Sequence, residues 1–152
     1  MWTKTKSLFL SRILTVCTAG VFMILTFFVP ALSRWYEQVS AGSGFFGNNI
    51  FMPICIGLYI AEIFAFSALW NLHRLLGNIN KGIVFDDCNS HCLRRISWSC
   101  MFAGIVFGVI GLWRFIFLMA GFMAFMLGLV MRVLKNVFEK AVEIKSENDF
   151  TI

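Results

Sequence analysis

One acid, one cysteine–histidine cluster, one set of small residues and one polar tail are the places where this chain could do chemistry. Glu62 stands alone as an ionisable residue inside a long apolar run. An acid at the centre of a membrane span costs ~2.5–3.5 kcal/mol, which the Ile, Leu, Phe and Val side chains of 50–69 offset at ~0.3–0.6 kcal/mol each. The run therefore still inserts, and the carboxyl must turn toward other helices. Its functional reading is a proton or cation site in a small oligomeric transporter or channel. Its structural reading is a neutral carboxyl hydrogen-bonded to a neighbouring helix, through Ser67, Ser99 or Thr18. A single acid without a cationic partner in the spans favours the structural reading.

Cys88, His91 and Cys92 form a C-x-x-H-C pattern, and on a helix those positions share a face. With His73 or Asp87 as a fourth ligand they are weak candidates for a zinc or redox sensor; structural zinc sites draw ligands from two separate pairs. No cofactor is expected. Cys17, Cys55 and Cys100 lie within apolar runs and read as packing residues. Gly104 and Gly108, with Ala120, Ala124 and Gly128, have helix-packing spacing. They suit the close approach of two helices in one hairpin, or a homo-oligomer. The end of the chain, Glu147-Asn148-Asp149-Phe150-Thr151-Ile152, places two apolar side chains beside a free carboxylate. It could dock on a partner or fold back on the protein's own surface; the bland alternative is a frayed terminus.

The elements that must position these groups follow from the apolar pattern. Of 152 residues, 59% are hydrophobic and 14% charged. Four stretches, about 13–32, 50–69, 96–113 and 115–131, are free of charge apart from Glu62. Hydrocarbon offers no partner for backbone N–H and C=O groups, so such runs must be helices. The stretch 96–131 carries only Arg114; as one helix it would be roughly 54 Å long, against a core of ~30 Å. It therefore reads as a tight hairpin turning near 111–114. The expected fold is all-α, a four-span membrane bundle, with 132–152 as a cytoplasmic amphipathic helix and tail.

Charge sets the expected orientation. Eleven Lys and Arg fall on the side of both termini and the middle connector, and only Arg34 and Arg114 on the other. By the positive-inside rule both termini are cytoplasmic, and the basic excess meets anionic membrane lipids, with no direct role for nucleic acid. Trp35, Trp70, Trp98 and Trp113 fall at span ends, where amphipathic rings prefer to sit. The first span resembles a signal peptide in its basic start. Its apolar core is longer than such leaders use, and removing it would reverse the charge pattern, so it is expected to be retained.

Around the spans, 33–49 reads as a Gly- and Asn-rich outer loop and 71–95 as the cytoplasmic connector. In that connector Leu72, Leu75 and Leu76 continue the second helix, and Phe85 with Asp86 or Asp87 forms a staple and N-cap for the third. Along 132–146, Leu134, Val137, Phe138, Ala141 and Ile144 share one helical face. There is no P-loop, nucleophile elbow, zinc-protease motif or paired carboxylates, and no room between spans for a catalytic domain; an enzyme is not expected.

Lys81-Gly82, Phe85-Asp86 and Cys92-Leu93-Arg94-Arg95-Ile96, together with the ending from Ala141 to Ile152, resemble a bacterial membrane family labelled domain of unknown function 2975. Phe150 stands where that ending has an aliphatic residue, and the short turn near 111–114 is a second departure. The resemblance implies a four-span bacterial inner-membrane protein, encoded beside a small helix-turn-helix regulator that would be its soluble partner. It brings no activity, substrate or site residue. The expectation is an accessory or regulatory protein with a cytoplasmic docking surface.

Overall fold

The structure is a computed structural model that describes residues 4–40, 50–83 and 86–149. It consists of four helices: α1 (Lys4–Val39), α2 (Phe51–Asn80), α3 (Asp87–Gly111) and α4 (Phe115–Asp149). All four are long and apolar enough to cross a membrane. Each exceeds the apolar run from which it was read, because polar helix formers flanking a span continue its hydrogen-bond ladder into water. The connection from α1 to α2 consequently begins only after Val39, and the connector from α2 to α3 shrinks to the residues between Asn80 and Asp87. Phe85 lies outside the described residues, as does most of the Gly-rich loop. Asp86 holds the N-cap position of α3 without a side-chain capping bond.

The turn after α2 is chemically specific. Gly82 adopts φ +79°, and Ile83 N–H donates to the Asn78 carbonyl while Gly82 N–H donates to that of Ile79. That is a Schellman closure, which needs a residue without a Cβ penalty at the left-handed position. Asn89, fully buried, donates to the Ile83 carbonyl at 2.8 Å and accepts from Asn78 at 2.8 Å, so α3 starts against the end of α2.

Close backbone approach joins only helices that follow one another in the chain, α1 with α2, α2 with α3, and α3 with α4. The expected bundle is therefore open between α1 and α4. Two buried clusters bracket it. Ile50, Ile54 and Ile110 pack with Tyr36, Trp113 and Phe117 at one end; Leu75, Cys92 and Leu93 pack with Ile79, Met131 and Phe138 at the other.

α4 is a single unbroken helix of 35 residues, and 132–149 is its continuation; among the described residues it is not a separate helix. The helix takes in Glu147, Asn148 and Asp149 of the tail. Of the expected apolar face Phe138 packs inward and Ala141 is half-buried, whereas Leu134, Val137 and Ile144 are exposed.

Candidate functional site

Halfway along α2, Glu62 is buried at 8% exposure and faces α1. Thr26 Oγ1 donates to Glu62 Oε1 at 2.7 Å. The same hydroxyl lies 3.1 Å from the Phe22 carbonyl, so one proton serves two acceptors. Pro30, one turn further along α1, has no N–H for the Thr26 carbonyl. Tyr59 fills that gap, its hydroxyl donating to the Thr26 carbonyl at 3.3 Å. Tyr59 and Glu62 lie three residues apart on one face of α2, and both act on Thr26. Thr26, rather than Thr18, Ser67 or Ser99, is thus the partner of the acid. Thr18 donates to the Leu14 carbonyl of its own helix, and Ser99 donates to Ser67 across the α2–α3 contact.

Glu62 Oε2 makes no hydrogen bond among the described residues. Glu62 also forms part of the wall of a cavity of about 210 Å³ between α1, α2 and α3, and every other wall residue is apolar. Phe22 and Val29 line it from α1, Ala61 and Ala65 from α2, and Ala103 and Phe107 from α3. A buried carboxyl with one uncommitted oxygen beside an apolar space can bind a small apolar molecule through one polar group, or hold a proton. No second ionisable side chain lines the cavity.

The C-x-x-H-C pattern does not gather into a metal site. Cys92 is buried against Leu75 and Leu93, whereas His91 is exposed. His73 approaches Arg12 of α1 instead, with its Nε2 at 3.5 Å from the guanidinium. Among the described residues no three His, Cys, Asp or Glu side chains come close enough to hold a metal ion. Cys17 is exposed on the outside of α1, so it does not pack within the protein.

The small residues divide by position. A Cβ on Gly104 would meet the Phe125 N at 2.8 Å, and one on Gly128 would meet Met101, so both lie in the α3–α4 seam. Gly121 and Gly111, which spacing alone did not single out, are as tightly placed: a Cβ there would meet Gly108 N at 2.7 Å and Leu118 N at 2.8 Å, respectively. Gly108 itself has open space where a Cβ would go, contributing only its backbone to the seam. Ala124 is half-buried and Ala120 exposed. At the turn between α3 and α4, Arg114 is buried at 4% exposure, although it reads in sequence as a loop charge. Its isolation between two apolar runs was the available signal.

Of the tail positions, Glu147 is exposed in the last turns of α4, and Asn148 and Asp149 continue the helix. Phe150, Thr151 and Ile152 lie outside the described residues.

Four long apolar helices, with an acid buried between the first two, define a polytopic α-helical membrane protein. The chain belongs to the family described as "Protein of unknown function (DUF2975)", whose model matches residues 46–152. The match thus takes in α2, α3 and α4 and leaves α1 outside. The "Uncharacterized membrane protein YoaS" of Bacillus subtilis (strain 168) is 23% identical over 98% of this chain and 99% of its own length. No solved structure matches significantly.

Proposed function

We propose that this chain is a non-enzymatic accessory or regulatory protein of a bacterial cytoplasmic membrane, with both termini cytoplasmic. Its working surface is formed by the basic ends of α2, α3 and α4, which hold a soluble partner. The observation that carries this reading is the length of α4. Its 35 residues extend roughly 52 Å, about 20 Å more than the hydrocarbon core accommodates. The projecting part is anchored by Phe138 on the α2–α3 cluster and leaves Leu134, Val137 and Ile144 uncovered. Such a row at helical spacing suits a groove on a partner. The family resemblance suggests a helix-turn-helix regulator as that partner, with the tail 147–152 completing the contact.

The test is crosslinking and co-purification from native cells, comparing the full chain with one stopped after Ser146. Capture of a soluble regulator by the full chain, lost on truncation and on Leu134→Glu, is the expected result. Equal capture by all three forms sinks the docking surface.

A second reading rests on Glu62, whose Oε2 is unpaired beside an apolar cavity. In it, oligomers of the chain carry a proton or cation across the membrane. Proteoliposome flux that vanishes in Glu62→Gln, with insertion unchanged, would establish this reading over the first.

A further inference from the structure

Where α3 and α4 pass from apolar to charged sequence, Arg94, Ser97 and Trp98 of α3 and Arg132 and Lys135 of α4 enclose a crevice of about 40 Å³. That volume accommodates about three water-sized groups, at ~10–15 Å³ for each. Unlike the Glu62 cavity, it has a polar lining that is cationic on three sides, with no acid on the wall.

Four of the five lining groups, Ser97, Trp98, Arg132 and Lys135, have fixed partners. The Arg132 guanidinium sits 5.0 Å from the centre of the Trp98 ring, a cation–π arrangement, and its Nη1 lies 4.0 Å from the Met101 sulfur, which leaves Nε and Nη2 for a further acceptor. Ser97 donates to the Gly128 carbonyl at 2.7 Å, clamping the two helices directly beneath the crevice. Lys135 is largely buried and pairs with Glu139, one turn further along α4 and outside the crevice wall. It also lies 3.4 Å from the Asn136 side-chain oxygen. Three cations against one peripheral acid leave an uncompensated positive charge around a space the size of a small oxyanion.

The surroundings identify the source of that anion. Below the crevice on α3, Met101, Ile105 and Gly108 follow Trp98 at helical spacing; on α4, Phe125 and Phe122 follow Arg132 in the same way. Ile105, Gly108, Phe122 and Phe125 line an open apolar groove of about 380 Å³ between the two helices, shallow because Gly104 and Gly121 bring the backbones together. An oxyanion site at a Trp-marked interface, standing over an apolar groove, matches a molecule with a phosphate head and hydrocarbon chains.

We propose that this crevice binds the phosphate of an anionic phospholipid, with Arg94, Arg132 and Lys135 as its ligands and one acyl chain lying in the α3–α4 groove. The site is separate from the Glu62 cavity and does not depend on the protein having a soluble partner.

The experiment uses the full chain in detergent micelles, titrated with phosphatidylglycerol or phosphatidylcholine of matched chains and read by native mass spectrometry. One phosphatidylglycerol per chain should bind saturably, and phosphatidylcholine much more weakly. Arg132→Gln with Lys135→Gln should lower affinity about tenfold or more. Arg95→Gln, which removes a neighbouring charge not on the crevice wall, should leave it unchanged, and Glu139→Gln should tighten it. A parallel arm adds inorganic phosphate. Displacement of phosphatidylglycerol only at concentrations far above that of the lipid supports a lipid site. Equal affinity for both lipids, equal losses in Arg95→Gln and the double variant, or phosphate binding as tight as lipid binding would each overturn the proposal.

Discussion

Arg114 closes the end of the protein at the α3–α4 turn by donating to Ser40, through Nε to the hydroxyl at 3.0 Å and through Nη2 to the carbonyl at 3.1 Å. A third bond runs from Nη1 to the Trp113 carbonyl at 3.1 Å. The α3–α4 turn is thereby fastened to the C-terminal end of α1, where unpaired carbonyls and the helix dipole favour a cation. Tyr36 and Phe117 meet edge-to-face beside it, with ring centroids 5.5 Å apart. This is the only end at which α1 is tied to the α3–α4 hairpin by such bonds among the described residues. The planar guanidinium reaches three acceptors that an ammonium could not reach together.

Arg114→Ala should therefore lower thermal stability in detergent, at ~1.5–3 kcal/mol for each charged hydrogen bond lost without replacement. Arg114→Lys keeps the charge and should recover less than half of the loss. Differential scanning fluorimetry of the three forms measures this, and an unchanged melting temperature in Arg114→Ala would show that the clamp is dispensable.

The α3–α4 seam gives a second expectation. Gly121→Ala and Gly104→Ala place a methyl against backbone atoms of the facing helix, at 2.7–2.9 Å before relaxation. Overpacking of this kind costs ~1–3 kcal/mol, because a helix backbone cannot step aside as a flexible side chain can. Gly108→Ala and Gly20→Ala meet open space and should be neutral or slightly stabilising. Thermal unfolding of the four variants separates the two groups; equal behaviour would contradict the seam geometry.

Pro30 and Tyr59 form a testable couple. In the native chain Tyr59→Phe removes the donor to the Thr26 carbonyl, a loss of ~0.5–1.5 kcal/mol. Pro30→Ala restores a backbone N–H to that carbonyl, so Tyr59→Phe in its background should cost almost nothing. A double-mutant cycle by thermal unfolding reads the coupling. Additive effects would mean that the two residues act on different groups.

Glu62→Leu should insert more readily than the native chain, since an acid at mid-span is unfavourable by ~2.5–3.5 kcal/mol and Leu is favourable. Thr26→Val removes a donor to Glu62 Oε1 and should destabilise the native protein but not the Glu62→Leu variant. Urea or detergent titration of the two singles and the double variant checks this. A native chain more stable than Glu62→Leu would show that the acid has partners beyond Thr26.

Legibility in sequence varied with how local the physics was. The four helices could be read because a charge-free run in lipid has one backbone solution. Their ends could not, because helix propagates past the lipid boundary wherever the next residues tolerate it, as through Tyr36 in α1 and His73–Asn80 in α2. Glu62 was visible as a charge in an apolar field. Its partner Thr26 was not, since a hydroxyl at mid-helix more often bonds its own backbone, as Thr18 does. Pro30 and Thr26 are one turn apart, so the freed carbonyl was readable in principle; Tyr59 as its donor required knowing which faces of α1 and α2 meet. The cysteine pattern carried little information because spacing on one helix does not say which members turn into the core.

Composition and hydropathy alone settled that this chain is helical and membrane-spanning, with two helices in the 96–131 region, since bilayer thickness and backbone hydrogen bonding leave no other arrangement. Which charges are structural was decided by tertiary contacts. Arg114, a topology marker by position, became a buried clamp because α1 ends within reach of its guanidinium. The row Leu134, Val137 and Ile144 stayed uncovered because Phe138 took the place against α2 and α3. Such outcomes depend on the relative rotation of packed helices, which side-chain interlock and glycine contacts set between segments far apart in the chain.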